Sequence, residues 1–372
     1  MRVGIDGRAF RSPAFGVRRY VWELTRALTF FGPAVEVVAI GSDPTDPLPR
    51  GIQRAGELPS PPTNFGRHVF GLPIAVARRG LDVFHAPAYT APCWGQVPIV
   101  LSLHDVSYAR HPEWYPYRRD RLRRAFYAWS ARRARLILTD SEFSRREIVA
   151  AYGIREERIR VIPLGVAAAF SPGVTDHDDW HASVREQPYV LHVGDLHERR
   201  NALNLVRAVA MVSQRQPSAT SPRLILAGTD RGSGDALRRE AKALHLDNVL
   251  DMTGAVSEDH LLALYRGASV LVCASRYEGF GFPVLEAMAC GVPVIAARAG
   301  ALPEVTGDAA VLIDPDDVPA LADAIEALLW NRDRAVALRQ AGLQRARQFT
   351  WRHTAEATLE AYRACADRER AR

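Results

Sequence analysis

No apolar run in this chain approaches the ~20 residues that a helix needs to cross a bilayer, so no membrane-spanning helix is expected. The chain passes straight into a strand-like Met1-Arg2-Val3-Gly4-Ile5-Asp6, and no targeting segment is expected either. Cysteine is scarce: Cys93, Cys273, Cys290 and Cys365 are scattered, with no Cys-x-x-Cys and no paired spacing. That pattern indicates neither a disulfide framework nor a zinc site, and it suits reduced thiols in the cytoplasm. Lysine is nearly missing. Lys242 stands alone, so arginine carries almost all of the positive charge, a bias of the kind a GC-rich genome leaves. Tandem repeats and low-complexity tracts are absent. What is present is a net charge of +6 and a pI near 9.3, which admits nucleic acid, an anionic membrane or anionic substrates as partners.

A length of 372 residues exceeds one ordinary core and fits two domains, and 48% hydrophobic with 24% charged residues is a soluble, globular composition. Strand and helix patterns alternate along almost the whole chain, which argues for parallel sheets covered on both faces. Strands are expected at Arg2–Ile5, Val35–Ile40, Val83–His85, Ile99–Leu103, Leu136–Thr139 and Ile159–Ile162. After a polar stretch from Ser171 to Gln187 they recur at Tyr189–Val193, Arg223–Ala227, Val249–Met252, Val270–Cys273, Pro293–Ala296 and Ala310–Ile313. Tyr20–Phe30 reads as a helix, and Ser141 is placed to cap the start of another. Prolines and low apolar density mark Asp43–Thr63 as a loop.

The most informative stretch is Ser275-Arg276-Tyr277-Glu278-Gly279-Phe280-Gly281-Phe282-Pro283-Val284-Leu285-Glu286-Ala287-Met288. It places two carboxylates eight positions apart around a glycine-aromatic loop that opens a helix. The preceding Ala268–Ala274 has the apolar, β-branched character of a buried parallel strand. Pro283 suits the first helical position, so Glu278 falls in the loop and Glu286 about one turn inside the helix. The N–H groups of such a terminus attract anions, phosphate above all. Flanking carboxylates repel phosphate but suit hydroxyls. A ligand that is part phosphate and part polyol, a sugar nucleotide, answers both demands.

The same run, continued through Ala289-Cys290-Gly291-Val292-Pro293-Val294-Ile295-Ala296 and Leu302-Pro303-Glu304-Val305, resembles the Glu-x7-Glu motif of the retaining glycosyltransferases of family 4, in particular their bacterial mannosyltransferase-like members. The resemblance extends over nearly the whole chain. It implies an α/β fold of the GT-B type, two Rossmann-like domains with parallel sheets facing across a cleft. Residues 1–170 would form the acceptor-side domain, 171–350 the nucleotide-sugar domain, and 351–372 a C-terminal helix crossing back to the first.

Further motifs match residue by residue. Gly4-Ile5-Asp6-Gly7-Arg8 and Phe15-Gly16-Val17-Arg18-Arg19-Tyr20 resemble the family's first strand and glycine loop, which makes Gly16 the implied ligand contact, although Val17 and Arg18 stand where a small residue is usual. In Leu101-Ser102-Leu103-His104-Asp105-Val106 the histidine lies just past the carboxyl end of a strand, where open α/β sheets bind ligands. The resemblance puts His104 at the reaction centre; a capped loop histidine is the alternative. His85 ends another strand on the same side and fits a structural or acceptor-lining place. Val193-Gly194-Asp195-Leu196-His197-Glu198-Arg199-Arg200-Asn201 resembles the phosphate-clamping loop, with Arg200 where a lysine is usual and Asp195 where some members carry arginine. The alternative is that Arg199 and Arg200 merely solvate a helix start. Thr253-Gly254-Ala255-Val256-Ser257 resembles the loop that holds the base, with Val256 at its centre. Arginines at 118, 119, 121, 123, 124, 132, 133 and 135, against the lone acid Asp120 and with Leu122, Phe126, Trp129 and Leu136 at helical spacing, suit either an interfacial helix on anionic lipid or a solvated domain helix.

The resemblance thus implies catalytic roles for His104, which orients sugar and acceptor, and for Glu278, which binds hydroxyls of the transferred sugar. Donor-binding roles fall to Gly16, Arg199, Arg200, Val256, Gly279, Phe280, Gly281, Phe282, Pro283, Val284 and Glu286, the last on the ribose. No carboxylate stands out as a covalent nucleophile, which favours a same-face displacement. Asp314-Pro315-Asp316-Asp317 follows a late strand, not a metal-holding turn, so neither metal nor cofactor is expected. The best donor is GDP-mannose, with UDP-glucose, UDP-N-acetylglucosamine and dTDP-rhamnose as alternatives, and the acceptor is a saccharide or lipid-linked hydroxyl in polysaccharide or glycolipid assembly. The expected location is cytoplasmic, peripheral to the inner face of the membrane. A sugar-nucleotide epimerase or a phosphorylase would share the fold. A nucleic-acid binder would explain the pI but not the two glutamates, and no nucleic-acid partner is expected.

Overall fold

A computed structural model of the chain describes residues 1–32, 34–56, 58, 66–115, 119–173, 188–215 and 221–370. Arg118, the far end of the Asp43–Thr63 loop and the polar stretch 174–187 lie outside the described residues. The chain divides into two compact units, Met1–Gly165 with Thr350–Arg372, and Val166–Phe349.

The first unit is built on seven parallel strands: β1 (Arg2–Asp6), β2 (Glu36–Ile40), β3 (Gln53–Ala55), β4 (Val83–Ala86), β5 (Ile99–Ser102), β6 (Leu136–Thr139) and β7 (Ile159–Val161). Their spatial order is β3-β2-β1-β4-β5-β6-β7. The order reverses between β1 and β4, and an open α/β sheet leaves a crevice beyond its strand ends at such a point. Near-continuous apolar runs such as Val37-Val38-Ala39-Ile40 are buried on both faces, as a helix-covered parallel sheet requires. β3 falls in the proline-rich loop region. It is a three-residue edge strand with only Ala55 buried, too short and polar to leave a signal.

Helices cover this sheet, with some departures from the periodicity. The first runs Phe15–Phe31, so Gly16 sits in its opening turn and not in a glycine loop before it. Gly16 takes no positive φ, and exposed Phe15 and Gly16 extend the helix ahead of the apolar stripe that runs from Val17 to Leu28. The arginine-rich stretch holds a shorter helix, Arg121–Arg133, N-capped by Asp120, whose carboxylate accepts from the Arg123 amide at 2.9 Å. Leu136 begins β6 and so leaves the face formed by Leu122, Phe126 and Trp129. The C-terminal helix Trp351–Arg370 packs on Phe15–Phe31, with Trp351 and Tyr362 buried and Thr354 donating to Pro163 O at 2.8 Å.

The second unit repeats the plan with β8 (Tyr189–Val193), β9 (Arg223–Ala227), β10 (Leu250–Gly254), β11 (Val270–Cys273), β12 (Val294–Ala297) and β13 (Val311–Ile313). All pairings are parallel, in the order β10-β9-β8-β11-β12-β13. Leu205, Val209, Leu224, Val272 and Ile325 belong to its core. Here the order reverses between β8 and β11. Both the Gly194–Arg200 loop and the Ser275–Gly281 loop leave the carboxyl ends of these two strands.

Candidate active site

In the second unit, β11 runs out at Cys273 and the chain turns through Ser275–Gly281 into the helix Phe282–Ala289. Gly281 makes the turn with φ 107°, a conformation L side chains avoid, and a Cβ there would lie 2.8 Å from Leu302 Cδ2. Pro283 occupies the first turn, Val284 N–H closes on Gly281 O at 3.1 Å, and no side chain caps the terminus. The positive end of the helix is thus left at a glycine backbone. A second glycine braces the loop from the side. Gly300, with φ 61°, lies where a Cβ would be 2.6 Å from Glu278 N, and Ala301 N–H donates to Glu278 O at 2.9 Å.

Both glutamates are buried and both are held. Glu286 accepts from Tyr265 Oη at 2.9 Å. Glu278 accepts from Ser275 Oγ at 3.1 Å and forms an ion pair with Arg200 through Oε1. Arg200 comes from the short 3₁₀ turn Glu198–Arg200 after β8 and lies against Gly194, where a Cβ would be 3.3 Å from its guanidinium carbon. Beneath it, His192 of β8 binds Val272 O through Nδ1 at 3.1 Å. Burial, followed by the Arg200 charge, pushes this imidazole down to about 4, so it is neutral and Arg200 remains the cation.

The neighbouring residues divide by the contacts they make. Arg199 serves the loop, accepting from Arg276 N at 2.9 Å through its carbonyl and reaching Tyr277 O at 3.4 Å through its guanidinium. Asp195 turns to Arg231 at 3.1 Å. Phe280 is buried between the rings of Phe282 and Phe349, at 5.6 and 6.0 Å, and Gly279 is buried beside it. Val256 is half-buried in the loop after β10, ahead of Ser257, which caps the next helix at His260 N. Asp316 pairs with Arg276 at 2.5 Å, and its amide donates to Asp314 at 2.9 Å, so the Asp-x-Asp sequence forms a turn tied to an arginine.

In the first unit the strand register decides the key pair. Ser102 of β5 lies opposite Leu138 of β6, and two residues further on His104 faces Asp140, with Nδ1 2.8 Å from Oδ2. The other ring nitrogen, Nε2, lies 3.2 Å from Pro87 O, and the Tyr20 ring stands edge-on at 4.5 Å. Burial resists charging the ring, but Asp140, then Asp105 and the Pro87 carbonyl, outweigh it and raise its pKa. Only the imidazolium donates from both nitrogens, which suits two acceptors. His85 is wholly buried between Ser102 Oγ at 2.8 Å and Tyr362 Oη at 2.6 Å, a structural place. Past β1, Asp6 is buried between Arg67 at 2.5 Å and Arg8 at 3.4 Å; burial opposes its charge, the two arginines prevail, and its carboxyl is held down to about 2. Gly16 is exposed in the first helical turn.

Within the second unit the structure therefore brings together Glu278, Arg200 and the Gly281 terminus, with Glu286 a turn along. Arg199 braces the same loop at Tyr277 O. Tyr265, His192 and Asp140 left no mark as motifs, and Ser275 entered only as the first residue of the glutamate run. Of these, Asp140 alone had a usable signal, since it follows a strand end just as His104 does.

These features correspond to known proteins. Residues 15–170 match the family described as Glycosyltransferase Family 4, and residues 175–345 match Glycosyl transferases group 1. The chain is 33% identical to the O-antigen chain mannosyltransferase B of Escherichia coli over 287 residues, 76% of this chain and 74% of that protein. It is 31% identical to the D-inositol 3-phosphate glycosyltransferase of Acidothermus cellulolyticus, over 89% of this chain and 77% of that one. Anabaena Alr3699/HepE, solved with UDP and glucose, superposes with a TM-score of 0.74 at 19% identity, covering 98% of this chain and 99% of that chain. Two doubly wound units, a glycine-opened helix between two buried glutamates, and relatives of this length and identity converge: the chain belongs to the family 4, group 1 glycosyltransferases and has the GT-B fold.

Proposed function

We propose that this glycosyltransferase moves mannose from GDP-mannose to an acceptor hydroxyl, with retention of configuration and without a metal ion. The observation that carries the reading is the buried Glu278–Arg200 pair at the uncapped, glycine-opened terminus of the helix that bears Glu286. Arg200 is shared between two partners. The donor diphosphate competes for its guanidinium, and Glu278, released, accepts hydroxyls of the sugar. As the glycosidic bond breaks, charge grows on the departing diphosphate, where Arg200 and the helix terminus are already placed to stabilise it. Glu286 takes the ribose. His104, held by Asp140 through Nδ1, gives up its Nε2 contact with Pro87 O to donate to a sugar or acceptor oxygen. The leaving phosphate accepts the acceptor proton on the same face. Mannose is favoured by the E. coli mannosyltransferase relative. UDP-glucose is the second reading, supported by the UDP and glucose bound in the Anabaena protein.

The acceptor in this reading is lipid-linked, and the first unit has a surface to match. Leu122 is 85% exposed and Trp129 38% on the helix Arg121–Arg133, with Arg133 over the Trp129 ring at 5.8 Å. Phe126, on the same face, contacts His68, next to exposed Phe70 and Trp94. An outward apolar face among arginines suits a peripheral contact with anionic lipid.

The test is protection against thermal unfolding by GDP-mannose, UDP-glucose, UDP-N-acetylglucosamine and dTDP-rhamnose in parallel. A ligand at about 100 Kd adds ~2.7 kcal/mol to the unit that binds it. Protection by GDP-mannose alone, with transfer that survives EDTA, is the expected result. Protection by another donor overturns mannose. Turnover of donor without acceptor, or only with free phosphate, replaces transfer by epimerisation or phosphorolysis.

A further inference from the structure

At the amino ends of β11 and β12, on the side of the sheet away from Glu278, the second unit has a cavity of about 270 Å³. Its wall carries three guanidiniums, Arg266, Arg332 and Arg339, with Ser269, Cys290 and Gly291 among the rest. Arg332 and Arg339 lie seven positions, about two turns, apart on one face of the helix Arg332–Ala346, at its amino end. Arg339 lies over Gly291, where a Cβ would be 3.0 Å from its Nε. Arg266 is anchored by Nε–H donating to Ser171 O at 2.9 Å and stays in place beside Gly173.

Among the described residues the charge here has no local answer: no carboxylate lines the cavity, and none forms an ion pair with any of the three arginines. Cys290 does not supply an anion: burial pushes its thiol up to about 12 against the pull of Arg266. The helix Phe282–Ala289 ends at Cys290 and offers its negative pole, but that amounts to about half a charge against three. The amino end of Arg332–Ala346 adds positive potential in the same place.

We propose that this cavity is a second anion site, which takes a soluble phosphate-bearing molecule of the size of a phosphomonoester or diphosphate. Pockets for larger ligands span about 300–1,000 Å³, so a whole nucleotide sugar does not fit it. Guanidiniums match phosphate bidentately, and the Ser269 hydroxyl and glycine backbone complete a polar wall. The site is separate from the donor crevice: it stands at the opposite, carboxyl end of the helix whose amino end is Gly281, about 12 Å away for eight residues.

Inorganic pyrophosphate is the probe, read by methyl resonances of Val336 and Val292, which line the cavity, and of Val284 at the donor loop. Saturable shifts at Val336 and Val292 are expected in the wild type and in R200Q, weakening as salt rises. R332Q/R339Q changes two exposed side chains and should weaken the response about tenfold or more at an unchanged melting temperature. Shifts confined to Val284, or shifts at Val336 that survive R332Q/R339Q, overturn the proposal. Movement of Val336 and Val292 by phosphatidylglycerol vesicles and not by pyrophosphate overturns the soluble ligand.

Discussion

Tyr362, near the end of the chain, and His85, in β4, share a hydrogen bond of 2.6 Å across 277 positions of sequence. His85 in turn meets Ser102 Oγ at 2.8 Å, and Ser102 meets Tyr20 Oη at 2.8 Å. Burial, then the charge of His104, pushes His85 down to about 3, so it is neutral and gives one N–H while accepting at the other nitrogen. This network is the polar seam by which the C-terminal helix docks on its sheet.

Tyr362→Phe should therefore cost about 1–3 kcal/mol, because a buried acceptor or donor loses its partner. Urea unfolding at neutral pH measures it. A depressed histidine leaves stability intact above its unfolded pKa, near 6.5, and removes it as pH falls toward 3. His85→Gln should flatten that acid decline. An unchanged acid limb would mean that other groups govern it.

For His104 the sign is opposite. Its pKa is raised, so the Asp140 pairing stabilises the fold fully below ~6.5 and the benefit disappears as pH rises through the folded value. Asp140→Asn should thus destabilise more at pH 6 than at pH 9. In the proposed reaction it and His104→Ala should lower turnover with donor affinity nearly intact. Equal penalties at both pH values would remove the charged ring from the account.

The two glutamates should separate in binding experiments. Glu286→Ala is expected to weaken nucleoside diphosphate and intact donor alike, by roughly 10- to 150-fold for one lost charged hydrogen bond. Glu278→Ala should mainly cut turnover. It also breaks the buried ion pair with Arg200, at a cost in stability of about 3–5 kcal/mol. Titration calorimetry with both ligands, alongside unfolding curves, distinguishes them; near-wild-type values for both variants would sink the assignment.

Gly281→Ala places a Cβ against Leu302 and forces an L residue to φ 107°. A loss of about 1–3 kcal/mol is expected from the backbone alone. Because the same turn sets the helix terminus, donor affinity should fall with it. Full affinity in the alanine variant would show that the terminus does not need this geometry.

Membrane contact is tested by co-sedimentation with anionic and neutral vesicles. Each basic residue near an anionic surface adds about 1 kcal/mol, so R121Q/R124Q should weaken binding in a salt-sensitive way, and Trp129→Ala should weaken it at any salt. Indifference to lipid charge would leave an ordinary solvated helix.

Much of this was legible in the one-dimensional pattern, for physical reasons that operate locally. Buried parallel strands must be apolar on both faces, so Val270–Cys273 and Ile99–Ser102 announce themselves. A proline just inside a helix and a glycine just before it mark Pro283 and Gly281 without any tertiary knowledge. The β3 edge strand escaped because a three-residue strand with one buried side chain has almost no pattern. The helix Phe15–Phe31 was harder to delimit, since exposed Phe15, Gly16 and Arg18 carry no apolar periodicity at its start.

Residue type and spacing, then, were enough to determine the alternation of strands and helices, the glycine-opened terminus and the two carboxylates that flank it. Those features depend on chain neighbours a few positions apart. Partners were decided only by the tertiary structure. That Glu278 pairs with Arg200, that Tyr265 holds Glu286, that Asp140 holds His104 and that Tyr362 reaches His85 all depend on strand order and register. Such pairs join residues 21 to 277 positions apart, and no local propensity encodes which of many arginines or tyrosines will be carried into contact.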